Sequence, residues 1–192
     1  MELSNPLISE YTWANKPSVA PLGQIICVTD VGENGSLWRG NGTKWVRLHC
    51  IHFYNLPAAV VVTGTTAEVA LATISIPAGL IGSKGKVKLH PLFSATNNAN
   101  NKTVRIKLGV STGYISTSSG YAQLSSLVIF RNFNSESVQK VTSGLPAGLG
   151  STGASSQSLT IDTSAAITLT ITGQLAVGTD TMTLESLFLE LV

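Results

Sequence analysis

Four residues of this 192-residue chain have the right types for a metal site: Cys27, His49, Cys50 and His52. Thiolate and imidazole ligands hold zinc in a tetrahedron, usually from closely spaced pairs. The spacing here speaks against such a site. In an extended segment Cys50 and His52 point to one side and His49 to the other. No Cys-x-x-Cys or His-x-x-x-His pair is present. The expectation is free thiols and linker histidines, with no metal and no cofactor. The ten acidic residues are scattered from Glu2 to Glu190. None forms the kind of pair that must flank a glycosidic bond. A Gly-x-Ser-x-Gly elbow and a phosphate-cradling glycine loop are also missing. The chain is therefore not expected to be an enzyme.

The remaining candidates serve contact rather than reaction. Tyr11 and Trp13 lie among small and polar residues in a stretch broken by Pro6, Pro17 and Pro21. An aromatic pair in an extended arm marks a docking segment. The alternative is that both rings fold back onto the strands that follow. Tyr114 and Tyr121 lie near Gly/Ser-rich turns, where exposed rings would stack on sugars. The alternative is packing at the bases of the loops. Lys84, Lys86 and Lys88 with Lys102, Arg105 and Lys107 form a basic strip. It either meets an acidic or glycan-bearing surface or is the wet face of neighbouring strands, its long stems covering apolar surface.

Composition narrows the classes. Only 11% of residues are charged and 43% are apolar, while 22 Ser and 21 Thr make more than one residue in five a hydroxyl. An average chain carries about 25% charge. A disordered tail would pair few aliphatics with high net charge, and the net charge here is +2. Twelve basic against ten acidic residues is no nucleic-acid footprint. Two cysteines make no disulfide framework. No apolar run approaches the ~20 residues of a membrane helix, so no membrane insertion is expected. The first residues lack the basic and apolar regions of a signal peptide. That implies synthesis in a cytoplasm.

The elements that must position these residues are strands. Residues 1–22 read as an extended arm. Residues 23–55 read as a three-stranded meander and its linker, with strands at Gln24–Thr29, Ser36–Gly40 and Thr43–Leu48 and Asn-Gly turns between them. Residues 56–192 show strands near Glu68–Ile76, Lys86–Phe93, Lys102–Leu108, Ala122–Asn132, Ser137–Val141, Ser158–Ile161, Ala166–Thr172 and Thr181–Leu191. A Gly/Ser-rich loop fills 143–157. About eight short alternating strands without a helical period predict an all-β fold, a jelly-roll β-sandwich behind the small meander. The last strand is apolar on both faces. That fits a central strand, or one covered by another subunit.

Two stretches carry a family resemblance. The first runs through Glu10-Tyr11-Thr12-Trp13-Ala14-Asn15-Lys16-Pro17, Val28-Thr29-Asp30-Val31-Gly32, Gly35-Ser36-Leu37-Trp38 and Gly42-Thr43-Lys44-Trp45. It resembles a short β module of tailed-bacteriophage virion proteins, which there precedes or decorates fibre and spike domains. The second covers Ala72–Gly82, Gly85–Leu89 and Asn97–Thr103. It is similar to jelly-roll tip domains of phage fibres and head-decoration proteins. Together they span most of the chain. The resemblance implies a homotrimer on a virion, with Tyr11, Trp13, Trp38 and Trp45 docking on a capsid or tail protein. The short length, with no repeat shaft, favours a head fibre or decoration protein; the alternative is a tail-fibre tip or a carbohydrate-binding module for host attachment. Few charges suit strand faces that meet other subunits, because a buried charge is costly.

Overall fold

The computed structural model describes residues 8–31, 35–48, 51–141 and 157–192. The expected Gly/Ser-rich loop and part of the first Asn-Gly turn therefore lie outside the described residues. Among those described there is no helix, and sixteen strands fall into three sheets. The chain divides into a first unit, residues 1–53 with Val192, and a second over Tyr54–Leu191; the division falls inside the strand Ile51–Asn55, which belongs to the larger sheet of the second.

The first unit is a four-stranded sheet in the order β1 (Ser9–Tyr11), β2 (Ile25–Val28), β3 (Ser36–Gly40), β4 (Trp45–Arg47). The last three strands are the expected meander. The first is an addition: the stretch read as an arm supplies a strand parallel to β2, with Tyr11 opposite Val28. A parallel pair needs a crossover of about a dozen residues, and Thr12–Gln24 provides it. The crossover lies tight against β3. A Cβ on Gly40 would stand 2.0 Å from the Pro21 carbonyl oxygen, so only glycine fits there.

The second unit is a β-sandwich. Its smaller sheet has the order β10 (Ser111–Ser118), β9 (Lys102–Leu108), β15 (Ile167–Leu175), β7 (Val69–Ile76). Its larger sheet runs β14 (Gln157–Leu159), β13 (Gln139–Val141), β12 (Val128–Asn132), β8 (Lys86–Ala95), β16 (Thr181–Leu191), β5 (Ile51–Asn55); β11 (Gln123–Ser125) also pairs with β8 and β6 (Val60–Thr63) with β16. Among the described residues, the pairings within these two sheets with a defined register are antiparallel. The core follows the period of two: Val87, Leu89 and Phe93 on β8, Val104, Ile106 and Leu108 on β9, Leu169 and Ile171 on β15 are all buried.

Three bulges keep that core apolar. Leu71 on β7, Gly113 on β10 and Glu185 on β16 have no partner in the ladder. Each extra residue shifts the side-chain phase by one. On β16, Met182 and Leu184 point inward before Glu185, and Leu187, Leu189 and Leu191 point inward after it. The double-faced apolar pattern of this strand is thus a phase change, and the strand is central, between β8 and β5/β6. Gly113 is required because a Cβ there would lie 2.2 Å from the Phe130 ring.

Differences from the sequence expectation share one cause, local chemistry that hides the alternation. Ile51–Asn55 was read as linker and Ser111–Ser118 not as a strand. Both are strands held by their partners, although the second carries five Ser or Thr and a glycine bulge. The single strand expected over Ala122–Asn132 is two, broken at Ser126–Leu127.

Polar networks close the two ends of the sandwich. At one end Lys102, fully buried, donates to Asn98 Oδ1 (2.5 Å) and to the Asn100 carbonyl (2.9 Å) and faces Asp180 at 3.5 Å. Asn98 and Asn100 donate to the two Asp180 oxygens at 2.8 and 3.1 Å. At the other end Gln139 bridges Asn132 and Ile161, and Asn132 donates to Thr163 and to the Gly82 carbonyl. Removing one member of a buried ion pair strands the other charge, at about 3–5 kcal/mol. Lys102→Met is expected to cost that much in urea denaturation, and adding Asp180→Asn to it should recover part of the loss.

Candidate functional site

The tryptophans of the first unit hold its crossover to its sheet. Trp38 is 4% exposed, and its Nε1 donates to Ser36 Oγ at 2.7 Å. Trp13 packs on it at a tilt of 51° with ring centres 4.9 Å apart, and Lys16 caps the Trp13 ring at 3.9 Å. Such a cation over an indole contributes about 0.5–1 kcal/mol at an exposed site. The Trp13 backbone N–H donates to Asp30 at 2.6 Å. Trp45 is buried and donates from Nε1 to the Pro17 carbonyl at 2.7 Å. Tyr11 is half-buried, and its carbonyl accepts from the Thr29 N–H at 2.8 Å. Of the four aromatic docking candidates, Trp38 and Trp45 turn inward. Tyr11 and Trp13 keep part of their surface outside.

In the second unit Tyr114 is 5% exposed, on the strand that carries the Gly113 bulge. Tyr121 is half-buried, and burial pushes its phenol above the ordinary value, with Tyr114 adding to the shift. Its hydroxyl has no hydrogen-bond partner among the described residues. Neither ring therefore offers a broad open face.

The basic strip separates into three places. Lys102 is the buried ion described above. The signal for it was in the sequence: Lys102 shares the parity of Val104 and Ile106, which face inward. Arg105 and Lys107 lie on the outer face of the smaller sheet and meet at Glu68, at 3.4 and 2.6 Å. The Thr172 hydroxyl donates to the same carboxylate at 2.6 Å, and Arg105 also donates to Gln174. Lys107 and Thr172 hold the Glu68 carboxyl below its ordinary value of 4.5. Lys86 and Lys88 lie on the other sheet, and Lys88 pairs with Glu190 at 3.6 Å. The strip is thus a set of partly neutralised wet faces, not one continuous patch.

Of the metal-type residues, Cys27 is a half-buried free thiol on β2. His49 and Cys50 lie outside the described residues, as does the side chain of His52.

Sequence reasoning missed a cleft on the outer face of the larger sheet. It has a volume of about 290 Å³ and is lined by Lys88, Leu89, His90, Leu127, Phe188 and Glu190. Register explains its assembly. Phe188 lies opposite His90, and Glu190 lies opposite Lys88. Leu127 precedes Val128, which pairs with Leu89, so it stands beside His90 on the other flank. His90 Nε2 and Ser125 Oγ are 3.0 Å apart, which fixes the imidazole. Leu127 is 58% exposed. The break between β11 and β12 is what places Leu127 at this rim. Parity alone carried a signal: Lys88, His90, Phe188 and Glu190 all sit on outward positions of two adjacent strands.

Trp45→Phe keeps an aromatic ring but removes the donor to Pro17 and shrinks a buried side chain, so its cost is the hydrogen bond plus lost packing. Loss of one hydrogen bond predicts about 0.5–1.5 kcal/mol and faster proteolysis within the crossover, read by limited digestion. Glu68 predicts an acid dependence. Folding lowers its pKa, so its contribution is complete above 4.5 and is lost as pH falls through the lowered folded value. The carboxylate is partly exposed, so the contribution is under about 1 kcal/mol. Urea midpoints of Glu68→Gln should fall less between neutral and acid pH than those of the parent. Comparison with protein-family models, with curated proteins and with solved structures finds no match for this chain.

Proposed function

We propose that this chain is a virion structural protein of a tailed bacteriophage, a homotrimer that displays its β-sandwich on the particle as a head-fibre or decoration protein. The observation that carries this reading is the two-unit, all-β construction. A small tryptophan-centred sheet comes first and a separate sandwich follows, in the order of the resemblance. In this reading the first unit docks on the particle through the Tyr11–Trp13 region, and the sandwich faces outward.

One feature supports it. The orders β6-β16-β8-β12 and β7-β15-β9-β10 interleave successive strands between the sheets, as two combined Greek keys do in a jelly roll.

Self-association sets the test. Light scattering on the purified chain should give about 60 kDa, three times the 20.1 kDa protomer. A stable 20.1 kDa species at all concentrations contradicts the trimer.

A further inference from the structure

We propose that the cleft over His90 binds one neutral hexopyranose ring. Three properties select that ligand. The first is size. About 290 Å³ is small for a ligand pocket, since drug-sized sites run from about 300 to 1,000 Å³. It suits a single ring.

The second is the layout of apolar and polar groups. Phe188 and Leu127 stand on either flank of His90, making apolar walls. A pyranose carries an apolar C–H face that packs on such walls, and its hydroxyls project from its edge. At the adjacent row Lys88 offers donors and Glu190 offers acceptors, with the His90 imidazole on the floor. Hydroxyls both donate and accept, so they satisfy this mixed set, and bonds to charged partners are the stronger ones.

The third is charge. Lys88 and Glu190 neutralise each other at 3.6 Å. An anionic ligand would meet Glu190 and a cationic one Lys88, so neither sign is favoured. The imidazole is already held by Ser125, so the cleft floor is ordered before a ligand arrives.

The inference stands apart from the location of the protein: binding can fail with the trimer intact, and the trimer can fail with binding intact. The test is saturation-transfer NMR on the full chain with methyl glycosides of glucose, galactose, mannose and N-acetylglucosamine at millimolar concentration. Gluconate and glucosamine serve as charged controls. At least one neutral glycoside should show saturable transfer, with both controls weaker. Phe188→Ala should weaken it tenfold or more. Leu127→Ser, at an exposed position that leaves the fold intact, should weaken it several-fold, as should Glu190→Gln. Absence of transfer from all four glycosides overturns the proposal, and so does transfer unchanged in Leu127→Ser and Glu190→Gln. Equal or stronger transfer from a charged control overturns the neutral-sugar assignment. A fall in solution mass of Leu127→Ser without any glycoside binding assigns the cleft to a second copy instead.

Discussion

The buried ammonium of Lys102 is the constraint around which one end of the sandwich is organised. A charge with no exposed surface is tolerated only when its partners are complete. Here the partners come from two loops. Asn98 and Asn100 belong to the β8–β9 loop, and Asp180 closes the β15–β16 turn. The same hydrogen bonds hold the Asp180 carboxyl below its ordinary range, led by the one from Asn98. The Asp180 carbonyl accepts from Thr63 on β6, and the Asn98 carbonyl accepts from Gly120 after β10. Four connections thus meet around one buried charge. With that end tied, and Asn132, Gln139 and Thr163 tying the other, both sheet faces are left to the side chains that point outward.

Much of the sandwich was legible because a period of two is a strong signal wherever one face is apolar. β8, β9, β15 and β16 were read within a few residues of their observed bounds. The failures have physical causes. β10 alternates serine, threonine and one glycine, and its strand state comes from pairing with β9, not from propensity. β1 is three residues long and exists through its pairing with β2. Lys102 was placed with the wet lysines by residue type, when its parity put it inside. The candidate cleft was the least legible feature. Its walls come from β12 and β16, joined only through the register of β8, and no local pattern announces a register.

The low charge of the chain takes on a definite form in the structure. Some of the charges form small sets: Lys102 with Asp180, Arg105 and Lys107 with Glu68, Lys88 with Glu190. Between them the outer faces carry hydroxyls, such as Thr168 and Thr73, and a few apolar side chains. Where such pairs stand, a sheet face can approach another surface without burying unpaired charge, whereas the row Lys86, Arg131, Lys140 would have to stay outside such a contact. That is the physical link between the composition and the proposed role as a displayed, self-associating protein.

That role is tested most directly on particles. On the proposed role, quantitative mass spectrometry of virions purified from a lysate that contains the chain should find it present in a multiple of three copies per particle. Copies in the tens to hundreds fit a head protein, and three or six fit the tail. Its absence from purified particles, with the protein confined to the soluble lysate, would contradict the account.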